Sequence, residues 1–434
     1  MNVTILGGGL AAVTLAWMLQ KRDDVASIEI IEKEDRLGGL CRSFDLQGQA
    51  WDIGPHILFS KNKAVLECIL DVLGENKQQL RRSNRILHKG RLVQYPFEND
   101  LSKLPAEDVD YCVNAFMHNP YEHYDAQNML QFFLKTFGEG ITNLYLRPYN
   151  EKIWKFDPAY MDTQMVERIP KPPREDILKS AQGATIDGYT HQLYFHYPLR
   201  GGIQSVIDAF AGQFTDKVRV RPGHAVTGVR RQGTGFVVQT DQGDLSATTL
   251  VSTIPANLLC EYYAGMPDEL RATGRSLRYN SIIIAIVNVA TDRAGDNFAF
   301  MVADKNIAFH RLSKIDFLGA AYSKPGSATY MVEITYRKGD LIDQASDAEV
   351  LERIQDGLVS IGFCDGPQDI CFSHLRRFEY AYVIYDLAHR RNMDALLDYF
   401  SSQGLHLHGR FGEFEYLNMD AVVDRSMKLA QRLT

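Results

Sequence analysis

The residues Gly7-Gly8-Gly9-Leu10-Ala11-Ala12 stand between a β-branched run, NVTIL, and an apolar stretch with helical spacing. A turn of this kind can hold a pyrophosphate. Gly7 permits the sharp bend, Gly9 lets backbone approach phosphate oxygens, and Ala12 lets the helix pack on the strand. The helix N-terminus then faces the phosphates with its free N–H groups. Glu32 closes the next strand-like run, SIEII, where a carboxylate can accept both hydroxyls of a ribose. A further candidate is His56 in GPHILFS, residues 54–60, held between a proline and apolar residues. From these residues alone it is either a packed core histidine or a group set against a cofactor. No neighbouring cysteine or carboxylate cluster suggests a metal.

These groups need a strand, a turn and a helix to position them, and the local pattern supplies all three. Behind Glu32 comes Arg36-Leu37-Gly38-Gly39. A second glycine pair at this place resembles the flavoproteins that hold FAD in a Rossmann-type fold, among them amine oxidases, protoporphyrinogen oxidases and sugar mutases. The resemblance implies FAD as cofactor. It also implies a chain that returns to its nucleotide domain several times. Lys217–Thr253 reads as successive strands with turn signals between them. Val226 falls where the group passes a strand beside the adenine. LHLHGRFGEFEYLNMD followed by a periodic apolar run reads as strand, glycine turn and a long helix from near Asn418. The expectation is an α/β protein: a Rossmann-type FAD-binding domain from 1–60, 185–265 and 385–434, a mostly helical cap over 61–175, and a β-rich substrate domain over 266–384. PKPP, residues 170–173, marks a linker between the insertions.

Bulk properties bound the reading. The chain has 434 residues, 45% apolar and 23% charged, the proportions of a globular protein with one large or several interlocked domains. A formal charge of −7 argues against general nucleic-acid binding. Six scattered cysteines without a CxxC form neither a zinc site nor a disulfide framework. The longest apolar run, Ile282–Val287, is too short to span a bilayer. The N-terminus leads directly into a strand, and a cytoplasmic, soluble protein is expected.

Aromatic, asparagine and arginine residues recur in VQYPFEN, LRPYNEKIWKF, MVERIPKP, IAFHRLSK, RRFEYAYVIYD and GRFGEFEYLNMD. Taken in this order with GPHILFS, they resemble the UDP-galactopyranose mutase family from the first strand to the last helix. That resemblance implies interconversion of pyranose and furanose forms of a nucleotide sugar. Reduced FAD attacks the anomeric carbon through N5, expels the nucleotide diphosphate and returns it after ring opening and reclosure. A nucleotide-sugar substrate and a reductant such as NAD(P)H or a reductase are implied as partners, and homo-oligomerisation is left open. Two arginines carry over as diphosphate ligands, Arg168 in VERIP and Arg311 in FHR; guanidinium forks suit phosphate oxygens. Tyr382 and Tyr416 match the phosphate-side tyrosines. Asn150 and Trp154 match positions near sugar and nucleotide, and Tyr145 the place of an aromatic stacked on uracil. Gly54, Gly409, Arg410, Asn418, Met419 and Asp420 fall beside the flavin and its ribityl chain, with Arg36, Gly38 and Gly39 on its nucleotide side. The family runs Gly-Gly-His, Gly-Ala-His or Gly-Pro-His in the loop beside the isoalloxazine, so His56 is expected there as a positioning or hydrogen-bonding group. Glu98 departs from the pattern, standing where some relatives carry glutamine. The competing reading is a true FAD oxidase or dehydrogenase of the amine oxidase or protoporphyrinogen oxidase type.

Overall fold

Four of the five residues of the first strand, Asn2–Leu6, are buried, because this strand lies at the centre of a sheet covered on both faces. The sheet runs in the order Leu405–Leu407, Thr249–Ser252, Asn2–Leu6, Ser27–Ile31, Val218–Arg221, and every pair is parallel. Parallel neighbours need crossover connections, so the chain leaves and re-enters this sheet several times. The helices Leu10–Leu19 and Met419–Arg432 pack against each other on it, and the Thr14 hydroxyl lies 2.8 Å from both Leu10 O and Ser426 Oγ. The computed structural model describes residues 1–169, 172–184, 186 and 193–433, and the side chains of Glu167 and Arg168 also lie outside the described set. Pro170 and Lys171 of the expected linker therefore fall outside the described residues.

The second sheet has seven strands, in the order Ile370–Ile384, Arg278–Val289, Ala328–Tyr336, Arg311–Lys314, Ala299–Val302, Asn84–His88, Arg91–Gln94. All its pairs are antiparallel except Ala299–Val302 with Asn84–His88. Its two faces follow the period of two. Ile283, Ala285, Val287 and Val289 pack in one core with Val350, Ile354 and Leu358 of the helix Asp347–Ser360. Ile282, Ile284 and Ile286 belong to the main core on the opposite face. The result is a mixed α/β fold in which a parallel nucleotide-type sheet meets a large antiparallel sheet.

One expectation needs amending. The segment 61–175 does carry the helices Lys63–Leu73, Ala106–Met117, Met129–Ile141, Arg147–Trp154 and the start of Arg174–Ala181. Yet Asn84–His88 and Arg91–Gln94 leave it to form the far edge of the seven-stranded sheet, and Gln78–Arg81 pairs with Tyr194–Tyr197. The hairpin turns at Lys89 and Gly90, both at positive φ. Lysine seldom takes positive φ, so Lys-Gly is not one of the pairs that announce such a hairpin in a sequence, and the helical periodicity around it prevailed.

Candidate cofactor and substrate site

A cavity of about 980 Å³ opens between the two sheets. Its nucleotide end is built from the glycine turns. Gly7 has φ +89°, and the Gly8 N–H donates to Glu32 Oε2 at 2.6 Å while the Glu34 N–H donates to Oε1 at 2.9 Å. The Glu32 carboxylate is thus fixed at the end of its strand, on the cavity wall. Gly9 caps the helix Leu10–Leu19 without a side-chain bond, so first-turn N–H groups remain for an anion. Gly38 donates to Gly8 O at 2.8 Å, and a Cβ on Gly39 would stand 3.0 Å from Gly9 Cα. Gly39, at φ +56°, therefore fits against Gly9 only as a glycine. Ala12 is fully buried below them, and a Cβ on Gly409 would meet Ala11 Cβ at 2.5 Å. Val226 lines the wall at the head of its strand.

Arg36 does not join this wall. Its Nη2 donates to Ser43 O at 2.5 Å and its guanidinium lies 5.3 Å from the Phe44 ring, so it shapes the turn from outside. Arg42, which the glycine pair drew no attention to, lines the cavity instead, with Nη1 2.9 Å from Glu34 and Nε donating to Gly39 O.

The other end is formed by the Gly54–Ser60 loop, the C-terminal turn and the large sheet. Gly54 has φ +86°, and the His56 N–H folds back onto Gly54 O at 2.8 Å. His56 lines the cavity with Nδ1 buried and unbonded. Burial, then the Arg410 and Arg311 charges, push its pKa down to about 3. A ring so held is neutral near pH 7, able to give or accept a hydrogen bond but too weak a base to take a proton. Asn418 caps the helix Met419–Arg432, and Asn418, Met419 and Asp420 all face the cavity. Asp420 accepts from Ser60 Oγ at 2.7 Å, which ties this helix end to the His56 loop.

Across from the loop, Arg311 and Glu333 sit directly opposite one another on paired strands. Arg311 grips Glu333 through Nε and Nη2, the latter at 2.5 Å, and Nη2 is 3.4 Å from the Tyr382 hydroxyl. Glu333 is fully buried. Tyr382 and Tyr416 stack at 5.8 Å, and the Arg410 guanidinium lies 4.3 Å from the Tyr416 ring while donating to Ala381 O. All four of these side chains other than Glu333 line the cavity. Glu333 carries a legible signal in hindsight: it is the one charged residue in the strand ATYMVEITY, all nine residues of which are buried.

Three expected substrate contacts are placed otherwise. Trp154 stands edge-on behind Tyr382 and Tyr416, at 5.6 and 5.8 Å, and donates through Nε1 to Asn150 Oδ1 at 2.8 Å. Asn150 in turn donates to Leu146 O. Both support the tyrosine pair from outside the cavity wall, because their own turn of helix consumes their polar atoms. Tyr145 lies in the π-helical turn Thr142–Leu146, which directs its ring inward between Phe97 and Tyr149 at 5.1 and 5.3 Å. It is buried and off the wall. The Arg168 side chain lies outside the described residues.

Glu98 is also behind the wall, buried in the short turn Phe97–Lys103, and burial raises its pKa from 4.5 to about 7. The unfolded chain ionises this group first as pH rises, so its contribution to stability is full below about pH 4.5 and fades towards pH 7. Glu98→Gln should therefore gain on wild type over that range, by up to about 3 kcal/mol near pH 7. Denaturant midpoints measured at intervals from pH 4.5 to 7 check this, and parallel curves for the two proteins would refute it.

Among the described residues, no group of three or more metal-ligating side chains occurs and no helix is long and apolar enough to cross a membrane. A family model described as flavin containing amine oxidoreductase matches residues 9–398. The chain belongs to that family. FAD is its cofactor, and the interlocked glycine turns, the fixed Glu32 and the uncapped helix end fit the group. Chloroplastic protoporphyrinogen oxidase 1 of Spinacia oleracea is 22% identical over 81% of this chain and 70% of its own length. Human protoporphyrinogen oxidase is 21% identical over 66% of each. A crystal structure of reduced UDP-galactopyranose mutase superposes with a TM-score of 0.89 at 23% identity, covering 99% of this chain and 94% of the other. At such identity the likeness is one of fold.

Proposed function

We propose that this flavoprotein interconverts the pyranose and furanose forms of a nucleotide sugar, UDP-galactose or a related one, and does so with its flavin reduced. The observation that carries the reading is the wall of Arg311, Tyr382, Tyr416 and Arg410 facing the His56 loop across the cavity. Cationic and hydroxyl donors suit a diphosphate that gains negative charge as it leaves. The nucleophile for the anomeric carbon is what reduced FAD supplies when bound. The chain's own part is to hold the leaving diphosphate on Arg311 and the two tyrosine hydroxyls, with Arg168 as the second guanidinium. Gly54 brings the loop backbone close to the reacting centre, Pro55 stiffens it, and His56 offers a neutral hydrogen-bonding ring. Trp154 and Asn150 keep the tyrosine pair in place. The reductant is NAD(P)H or a reductase.

A second reading, oxidation of a substrate by FAD, has one observation in its favour beyond the oxidase relatives. Glu333 cancels the charge of Arg311, which leaves that part of the wall electrically neutral. One experiment separates the two. The protein is incubated with dithionite and UDP-galactofuranose, and the products are resolved by chromatography. Conversion to the pyranose only under reducing conditions is expected. Absence of conversion, together with oxygen-consuming turnover of an amine or porphyrinogen, would establish the oxidase.

A further inference from the structure

Among the described residues, six arginines line the cavity, and they differ in what holds them. Arg42 is paired with Glu34, Arg311 with Glu333, and Arg377 with Asp347. Arg410 donates to the carbonyls of Ala381 and Leu417. Arg376 is exposed and lies 4.3 Å from the Phe44 ring. Arg82 alone among them is largely shut from solvent with nothing to donate to among the described residues. Its Nε and Nη2 are both buried and without an acceptor, and its guanidinium rests 5.1 Å from the Phe59 ring in the His56 loop. These two atoms form one edge of the guanidinium, the edge that takes the two oxygens of a carboxylate or phosphate in parallel. Two residues along the chain and also on the cavity lining, Asn84 Oδ1 is likewise buried and unbonded, and the Tyr95 phenol feels both the Arg82 and the Arg311 charges.

A guanidinium withdrawn from water with half its donors idle is costly. Burial shifts its pKa downward, although an arginine remains charged throughout the working range. No carboxylate among the described residues pairs with it. We infer that Arg82 is an oxyanion-binding residue of this cavity, receiving a phosphate or carboxylate group of the ligand by turning its free edge towards it. Arg82 then offers a ligand a positive charge that, unlike that of Arg311, is not already shared with a carboxylate among the described residues. Two groups of a nucleotide sugar have the right chemistry, the diphosphate itself and an acidic substituent on the sugar. For this choice of ligands the inference rests on the nucleotide-sugar reading; the idle guanidinium does not.

The test is a set of titrations of the FAD-loaded protein, followed by flavin absorbance and fluorescence. The probes are UDP, UDP-galactose, UDP-galacturonate and inorganic pyrophosphate. Arg82→Met should retain FAD and weaken binding at least tenfold for one or more probes, and Arg82→Lys should recover part of the loss. A loss shared by UDP and pyrophosphate identifies the diphosphate as the anion. A loss confined to UDP-galacturonate identifies a sugar carboxylate. If all four probes bind Arg82→Met within twofold of wild type, or if wild type binds no probe, Arg82 is not an oxyanion site. Should wild type bind pyrophosphate but neither UDP nor its sugars, the nucleotide-sugar reading falls, and Arg82 is still judged by whether Arg82→Met loses pyrophosphate.

Discussion

Arg311→Ala should destabilise the folded chain by about 3–5 kcal/mol and abolish nucleotide-sugar turnover, whereas Arg311→Met combined with Glu333→Gln should recover most of the stability and none of the turnover. The reason lies in the pairing register. Arg311 and Glu333 face each other across two strands of the large sheet, and Glu333 has no exposed surface. Removing the guanidinium alone leaves a buried carboxylate without its partner. Removing both charges leaves neutral groups of similar volume, which a protein interior tolerates. Activity follows a different logic, because Tyr382 and the ligand lose their cation in either variant. Urea unfolding of the FAD-saturated proteins gives the stabilities, and the dithionite-dependent conversion assay gives turnover. An Arg311→Ala protein as stable as wild type would show that Glu333 does not depend on this partner. Full activity in the double variant would remove Arg311 from the proposed chemistry.

How much of this was legible in the residues varies with the kind of signal. Gly7, Gly9, Ala12 and Glu32 are constrained by backbone geometry over a short span, so their spacing alone is informative, and the folded turns engage each other through Gly9 and Gly39. The strands from Val218 to Ser252 and the C-terminal strand, turn and helix were legible for the same local reason. Side-chain direction was not. Tyr145, Asn150 and Trp154 occupy one helical stretch, but a π-helical turn at Thr142–Leu146 rotates Tyr145 into the core. A single extra residue in a turn has no compositional mark. Arg36 and Arg42 flank the same glycine pair, and only the three-dimensional path of the turn decides which one faces the cavity. Arg82 and Glu333 lie in segments far apart in sequence, and their importance comes from what does or does not stand opposite them. Glu333 marks itself as the one carboxylate of a buried strand, but which residue stands opposite either of them belongs to the tertiary fold and has no local pattern.

The two neighbouring glycines of the first turn should fail in different ways when each gains a methyl group. Gly9 has φ −75° and extended ψ, a conformation open to alanine, and its Cβ would approach only Gly39 Cα at 3.9 Å. The protein has room for that methyl; the room is where a pyrophosphate would press against the backbone. Gly9→Ala should therefore keep the stability of the FAD-depleted chain within about 0.5 kcal/mol of wild type while lowering FAD affinity more than tenfold. Gly8 is hemmed in by the protein itself, since a Cβ there would stand 2.5 Å from Leu37 Cδ2 and 3.0 Å from Glu32 Cβ. Gly8→Ala must push Leu37 aside and disturb the bond from the Gly8 N–H to Glu32, at a cost of about 1–3 kcal/mol even without FAD. Thermal unfolding with and without added FAD separates the two. FAD raises the midpoint of whatever binds it, so Gly9→Ala should match wild type when depleted and lose the upward shift on FAD addition. Gly8→Ala should already melt lower when depleted. If Gly9→Ala keeps the full FAD-dependent shift, the pyrophosphate does not contact Gly9, and the Gly38–Gly39 turn would have to carry it instead.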